Sequence, residues 1–436
     1  MIHTLIQEPN SSANSHVSQS ATIDPAGDNE DSQPNAGSKE NAQPRSVTQT
    51  PNASAASSLE SGDEGKNEQP CACGEMLMNS ATGKAIKRNF ICGQWSKQAL
   101  ITRNDFKYKS LSCWALNTAV GCIHGCRFCY VPDTSTIKQG ETLKGFGVED
   151  PDLEWGSYVL VRSLNDKAFL SSLKVAEETP LQKLNSDGNR AVMLCTTTDP
   201  YQMLPDKELR KQHCELVTKA LELILEKSTI NVRILTRSPL AKQDFDLYKR
   251  FGNRLLFGMS IPTLDNKLAR IYEPHAPAPS KRLETLREAK KAGLNIYVAV
   301  APTYPECDEN DLRNTISAIA SLEPVTIFHE PINIRAENVA RISEHAKSLG
   351  KELKTDVFAT AASWRKYAIE QLHLVEKIAT ECRVQDRLHL WPDQGLISQD
   401  ALIEVSNPLE HLKWVLKCHK RVSEWPGRTP TGGLNS

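Results

Sequence analysis

Three cysteines stand within eight residues of this 436-residue chain, in the run CIHGCRFCY. They are Cys122, Cys126 and Cys129, and their C-x-x-x-C-x-x-C spacing is typical of a loop that gives three thiolates to a [4Fe–4S] cluster. The fourth iron is then left open to a small molecule. Gly121 and Gly125 precede the first and second cysteines, and glycine permits the positive φ and the close approach that such a loop requires.

Zinc is the main alternative for these cysteines. Three of them suit a catalytic zinc with an open position, and His124 would complete a four-coordinate site. However, His124 lies between two ligands and its use would strain so short a loop. A disulfide is disfavoured by the tight spacing, and the twelve cysteines of the chain occur without a secretory signal, which favours reduced thiols. We therefore predict an iron–sulfur cluster.

The charge of the chain is unevenly distributed. Residues 1–70 hold 3 Lys and Arg against 10 Asp and Glu, a net charge of −7, so the rest of the chain, with a total of −1, carries +6. That mild excess permits a nucleic-acid partner but is not a dense basic patch. No apolar run approaches the length of a membrane span, so we expect no membrane association and a cytoplasmic location.

Composition and pattern divide the chain into five segments. We predict a disordered, acidic Ser/Asn/Gln-rich tail because the first segment cannot bury enough apolar surface to offset its chain entropy. The second contains Cys71, Cys73 and Cys92, which with Cys113 of the next segment suit a zinc or second cluster site, although unligated cysteines fit the irregular spacing better. The third is the core, followed by a helical C-terminal cap and a short tail. The boundaries are 1–70, 71–110, 111–350, 351–425 and 426–436.

From about residue 111 the chain alternates between short β-rich runs and amphipathic helices. Apolar residues recur at three and four positions in 207–227 and 280–292, which predicts helices there. Strands separated by such helices indicate βαβ units, a parallel sheet and an α/β fold. We predict a first strand before Gly121. The five further strands are expected at 191–195, 230–235, 255–260, 296–301 and 325–329.

The cysteine spacing, with the aromatic Phe128 before the last cysteine, resembles the signature of the radical S-adenosylmethionine superfamily. Four further stretches, CTTTDPYQ, LTRSPL, IYEPHAPAPSKRL and APTYP, follow predicted strands and are similar to the branch of spore photoproduct lyase, often labelled DNA repair photolyase-like. The resemblance implies a partial (β/α)6 TIM-type barrel. It also implies a lyase-like enzyme whose reduced cluster cleaves S-adenosylmethionine to a 5′-deoxyadenosyl radical, with flavodoxin or ferredoxin as reductant.

The resemblance also assigns residues to the cofactors. It places Cys122, Cys126 and Cys129 on the cluster. The residues that it implies for S-adenosylmethionine are Phe128 beside the adenine, Thr197 and Asp199 at the amino group, Arg237 at the carboxylate, and Ser260 at the carboxylate or ribose.

Two residues are candidates for the radical chemistry itself. Spore photoproduct lyase uses a cysteine as hydrogen donor and tyrosines near the last cluster cysteine as a relay. Tyr130 matches one such tyrosine, but Phe128 has no hydroxyl. Cys195 lies two residues before Thr197 on the same predicted face, yet a small buried cysteine is the commoner reason for such a residue. The leading hypothesis is therefore a radical enzyme of the photolyase-like branch, whose substrate stays open between nucleic acid and another molecule. The alternatives are a radical enzyme that modifies protein or RNA, and a non-catalytic metal-binding scaffold.

Overall fold

A computed structural model describes residues 76–78, 85–87, 90–104, 109, 111–184 and 189–426. The predicted tail 1–70 and the cysteines Cys71 and Cys73 lie outside the described residues.

Thirteen strands and eleven α-helices lie in the part of the chain that the structure describes, together with several short 3-10 turns. The strands are β1 (Met76–Met78), β2 (Ala85–Lys87), β3 (Ile91–Gln98), β4 (Ile101–Arg103), β5 (Trp114–Leu116), β6 (Ala119–Gly121), β7 (Tyr158–Ser163), β8 (Ala191–Leu194), β9 (Asn231–Thr236), β10 (Leu255–Ser260), β11 (Ile296–Thr303), β12 (Thr326–Pro331) and β13 (Leu388–Leu390). The helices are α1 (Gly140–Lys144), α2 (Asp166–Glu178), α3 (Lys207–Lys227), α4 (Phe245–Phe251), α5 (Asn266–Tyr272), α6 (Pro279–Lys291), α7 (Glu309–Ala320), α8 (Asn338–Ser348), α9 (Ala361–Glu381), α10 (Gln399–Glu404) and α11 (Pro408–Lys420).

The main sheet has eight strands in the order β13-β12-β11-β10-β9-β8-β5-β4. Neighbouring strands from β5 to β13 pair in parallel, and β4 pairs antiparallel with β5 at one edge. Helices connect the parallel strands, as a sheet of βαβ units requires. The predicted α/β class and the parallel sheet are confirmed.

The sheet curves into a partial barrel. Side chains from its two ends and its middle pack in one buried cluster, which includes Leu111 before β5, Leu256 of β10, and Trp391 after β13. The other face of the strands packs against the helices in a larger cluster. Because β13 and β4 are the two edge strands, the barrel stays open, which confirms the predicted partial form.

One predicted strand belongs to a different sheet. The run before Gly121 was expected to be the first barrel strand, but β6 pairs with β7 in a three-stranded sheet of order β3-β7-β6. The barrel strand is β5, three residues earlier, which pairs in parallel with β8. The Asn117–Thr118 step between β5 and β6 therefore carries the chain from one sheet to the other, and the cysteine loop follows the second sheet.

The helix boundaries follow from local capping. α3 begins where the Asp206 carboxylate accepts hydrogen bonds from the N–H groups of Glu208 and Leu209. An aspartate at this position satisfies backbone donors that have no partner in the first turn. The prediction of a helix at 207–227 is confirmed in full, and α6 begins one residue before its predicted start.

The segment after residue 350 contains helices α9, α10 and α11, but also the short strand β13, which the sequence did not indicate. After α11 the chain reaches the N-terminal ends of the barrel strands. There the Ser423 hydroxyl accepts a hydrogen bond from Arg233 of β9 at 2.9 Å, and the Trp425 indole donates to Asn253 O at 2.7 Å. The end of the described chain thus packs against the barrel at the N-terminal ends of its strands. Within the described ranges, no helix is long and apolar enough to cross a membrane.

Candidate functional site

The cysteine loop depends on glycines in the left-handed region. Gly121 has φ +85° and Gly125 has φ +55°. A Cβ on Gly125 would lie 3.0 Å from the Cα of Gly156 and 3.2 Å from Cδ2 of His275, so the loop has no space for a side chain there. The expectation that both glycines shape this loop is confirmed.

Backbone hydrogen bonds attach the loop to the C-terminal side of the barrel. Arg127 N donates to Tyr272 O at 2.9 Å, and His275 N donates to His124 O at 3.4 Å. Tyr272 ends α5, which follows β10. The thiols consequently lie at the end of the barrel where parallel strands terminate, the usual place for an active site in this architecture.

The three thiols are a donor set that fits a cluster. Cys122 and Cys126 are buried and Cys129 is partly buried. Burial raises the pKa of Cys126 to about 12, and Arg237 opposes that shift. Among the described residues, no three His, Cys, Asp or Glu side chains could hold a single metal ion. A cluster takes one thiolate per iron, so its ligands need not converge on one point.

His124 has a different partner from the zinc that the sequence allowed. Its Nε2 lies 3.1 Å from Oδ2 of Asp199, and both side chains are buried. The imidazole is therefore directed at the carboxylate that follows β8, and the role of the three thiols as cluster ligands stays a prediction.

Asp199 is the centre of a hydrogen-bond network. Its Oδ1 accepts from Tyr201 N at 2.8 Å and from the Thr236 hydroxyl at 2.7 Å, and its Oδ2 accepts from Arg237 N at 2.8 Å. Burial alone would raise the pKa of Asp199, but the charge and hydrogen bond of His124 and the backbone donors outweigh it and lower the pKa to about 2. Both carboxylate oxygens are thus occupied by protein groups.

A buried ion-pair network lies beside the thiols. Glu273 accepts from Arg237 Nε at 2.8 Å and forms a second, shorter pair with Arg282. Arg282 also donates to Ser260 O at 3.0 Å. Burial would raise the pKa of Glu273, but the two guanidinium groups lower it to about 2. The Glu273–Arg282 pair is therefore buried within the protein.

An aromatic group borders the same site. The guanidinium of Arg237 lies 5.6 Å from the ring centroid of Phe128, within the range of a cation–π contact. The Phe128 ring is 5.8 Å from that of Tyr304, which stacks on Tyr272 at 4.0 Å. Neither tyrosine is predicted from the sequence as a site residue, although both lie inside the motifs APTYP and IYEPHAPAPSKRL.

Thr197 and Ser260 also lie at the strand ends. Thr197 is partly buried, and its N–H donates to Asn117 Oδ1 at 3.0 Å. Ser260 is the last residue of β10 and is buried. The structure thus brings Phe128, Thr197, Asp199, Arg237 and Ser260 to one end of the barrel, and their roles toward S-adenosylmethionine stay predictions.

Cys195 does not have the strand conformation that its predicted orientation assumed. β8 ends at Leu194, and Cys195 has φ +58°, in the left-handed region. Strand alternation therefore does not apply to it. Its thiol lies 3.2 Å from the Thr118 hydroxyl, which is 2.7 Å from Nε2 of His213 on α3. Burial raises the pKa of Cys195 to about 12. A role as hydrogen donor stays a prediction.

Tyr130 directs its hydroxyl at the same strand end, where it donates to Thr196 O at 3.1 Å. Burial raises its pKa. The phenol therefore lies next to the loop that carries Thr197, and its proposed part in radical transfer stays a prediction.

Two residues of α8, Asn338 and Arg341, also contact the cysteine loop. No local sequence signal identifies these two residues, because they lie more than 200 positions beyond the loop. By contrast, Cys92 and Cys113, candidates for a second metal site, pack in different hydrophobic clusters.

Comparison with known proteins identifies the family. A model of the radical SAM superfamily matches residues 116–319, from the end of β5 to within α7. An uncharacterized protein of Acidianus two-tailed virus is 35% identical over 236 residues, which are 52% of this chain and 70% of the viral protein. An uncharacterized protein of Methanocaldococcus jannaschii is 22% identical over 267 residues, 61% of this chain and 86% of that protein.

Among solved structures, spore photoproduct lyase with bound AdoMet and dinucleoside spore photoproduct aligns with a TM-score of 0.47 at 14% identity. The alignment covers 69% of this chain and 81% of the lyase chain. The superfamily match covers the cysteine loop and the strand ends around it, and the chain belongs to the radical S-adenosylmethionine superfamily.

Proposed function

We propose that the chain is an enzyme that holds a [4Fe–4S] cluster through Cys122, Cys126 and Cys129 and binds S-adenosylmethionine at its open iron. The observation that carries the proposal is the attachment of a glycine-shaped, three-thiol loop to the C-terminal side of a parallel barrel. When bound and reduced, the two cofactors supply a 5′-deoxyadenosyl radical that abstracts hydrogen from a substrate.

The residues around the loop have distinct parts in this proposal. Arg237 binds the methionyl carboxylate, because its Nε is held by Glu273 while a guanidinium has further N–H donors. Phe128 packs beside the adenine, and the Thr197 hydroxyl accepts from the amino group. Asp199 instead positions His124 and Arg237, since its own oxygens already have protein donors. Ser260 borders the cofactor at the end of β10.

The substrate class proposed is nucleic acid, as in the photolyase-like branch whose motifs the sequence resembles. Tyr130 and Cys195 are the candidates for hydrogen transfer, and the Cys195 thiol contacts the Thr118 hydroxyl. A small electron carrier such as flavodoxin or ferredoxin provides the reducing electron.

Replacing Arg237 by Ala should weaken binding of S-adenosylmethionine strongly while the iron content stays near that of the wild-type protein. The variant removes the carboxylate partner but none of the three thiols, and Glu273 keeps Arg282 as a counter-ion. Equilibrium dialysis of the cluster-loaded protein measures the affinity, and iron analysis measures the loading.

Arg254→Ala is the matched control. Arg254 immediately precedes β10 at the opposite end of the barrel, where it donates to Leu225 O. Equal loss of affinity in both variants, or none in Arg237→Ala, would remove Arg237 from the cofactor site.

Nucleic-acid affinity should be modest and fall with salt, and deletion of residues 1–70 should strengthen it. The tail carries −7 and repels phosphates, while the remainder carries +6. The slope of log affinity against log salt counts the phosphate contacts. Fluorescence anisotropy with labelled DNA and RNA, for both proteins at several salt concentrations, measures it. Equally poor binding by both at low salt would argue against a nucleic-acid substrate.

A further inference from the structure

Two side chains of α8 contact three consecutive carbonyl groups of the cysteine loop. Arg341 Nε donates to Arg127 O at 3.2 Å, Asn338 Nδ2 to Phe128 O at 3.2 Å, and an Nη of Arg341 to Cys129 O at 2.5 Å. Residues three apart lie on the same face of a helix, so these two side chains can donate to adjacent carbonyls. The part of the loop that contains the second and third cysteines is thus held by one helical turn.

Both side chains are committed to this contact. Asn338 is fully buried and Arg341 is 3% exposed. The second N–H of the Asn338 amide donates to Asn333 O at 2.8 Å, so both donors of that amide are in use. Without these donors the loop carbonyls would lose their hydrogen bonds inside the protein, and a buried carbonyl without a partner destabilises the fold.

Arg341 is a buried charge paired with a buried carboxylate. It pairs with Asp152, which is 4% exposed and whose Oδ2 also accepts from Glu337 N at 3.1 Å. Apolar residues of similar volume often stabilise a fold as well as a buried ion pair does. Stability alone therefore does not explain why a charged pair lies at this position. The pair lies directly behind the backbone of the third cysteine.

We propose that Asn338 and Arg341 are positioning residues of the cluster loop, and that the Arg341–Asp152 pair sets the charge beside Cys129 and thereby the reduction potential of the bound cluster. This inference rests on the proposed function. Hydrogen bonds and net charge around a cluster tune its potential, and partners behind the ligands affect metal affinity about 10- to 100-fold.

The test uses the full chain with Arg341→Gln, Arg341→Lys, Asn338→Ala and Asp152→Asn. The control is Arg365→Gln, which breaks the ion pair of Arg365 on α9 with the exposed Glu404 on α10, away from the cysteine loop. Each protein is loaded anaerobically with iron and sulfide. Iron per chain, the electron paramagnetic resonance spectrum and the potentiometric midpoint are then measured, and circular dichroism checks the fold.

Arg341→Gln should lower cluster affinity about 10- to 100-fold, as for other residues behind metal ligands. Arg341→Lys should rescue it in part, because one ammonium replaces the planar fork. Asn338→Ala should broaden or shift the spectrum. Asp152→Asn should keep the loop contacts but move the potential to a more positive value, since the Arg341 charge loses its counter-ion. The control should match the wild-type protein.

Arg341→Gln and Asn338→Ala that load as the wild type does, with unchanged spectra, would overturn the positioning role. An unchanged potential in Asp152→Asn would overturn the charge role. If Arg341→Gln does not fold, Arg341→Lys and Asn338→Ala decide. A wild-type protein that takes up no iron overturns the proposed function itself, and this inference with it, whereas normal loading of every variant overturns the inference alone.

Discussion

Replacement of any one of Cys122, Cys126 or Cys129 by Ala should reduce the iron and sulfide of the reconstituted protein to background. Each thiolate is expected to hold a separate iron, so two remaining ligands do not retain the cluster. Iron and sulfide quantitation after anaerobic reconstitution, with the visible absorption spectrum, measures the loss.

The matched control is Cys382→Ala. Cys382 is a partly buried cysteine just after α9, outside the loop, so its removal should leave the iron content unchanged. Protein that binds zinc and no iron, and stays colourless throughout reconstitution, would contradict the cluster assignment.

Glu273→Gln should destabilise the protein by about 3–5 kcal/mol, the usual cost of breaking a buried ion pair by removal of one partner. The substitution keeps the shape of the side chain but leaves Arg237 and Arg282 without their shared negative charge, and both Glu273 and Arg282 are buried. Urea denaturation followed by circular dichroism measures the free energy of unfolding.

Glu178→Gln serves as the comparison, because Glu178 forms an exposed pair with Lys174 at 3.8 Å on α2. Such pairs contribute little to stability, and this variant should unfold as the wild type does. A Glu273→Gln protein as stable as Glu178→Gln would mean that Arg237 and Arg282 tolerate the loss of their shared negative charge.

Local patterns were sufficient for much of the fold. α3 has both an apolar stripe and a capping aspartate, so its ends coincide with the prediction. The strands β9 to β12 are buried apolar runs bounded by turns, and each begins within one residue of its predicted start.

What the sequence could not give depends on distant parts of the chain. The three residues of β13 are too few for a periodic signal, and β6 resembles a barrel strand although its hydrogen bonds go to β7. Cys195 has a φ in the left-handed region, so strand alternation does not predict the direction of its side chain. Asn338 and Arg341 reach the loop only because the barrel brings α8 beside it.

The site shows the same division. The cysteine spacing and the strand-end motifs single out Phe128, Arg237 and Asp199 as candidates, because ligand loops and strand ends have recognisable local sequences. The partners of these residues, such as His124 for Asp199 and Glu273 for Arg237, are a matter of three-dimensional packing.

The reaction proposed for the three-thiol loop is the cleavage of S-adenosylmethionine. The most direct measurement is the formation of 5′-deoxyadenosine by the reduced, cluster-loaded protein, compared with a variant that lacks all three loop cysteines. We expect 5′-deoxyadenosine and methionine from the wild-type protein and none above background from the variant. Equal, background amounts from both, with and without candidate nucleic-acid substrates, would contradict it.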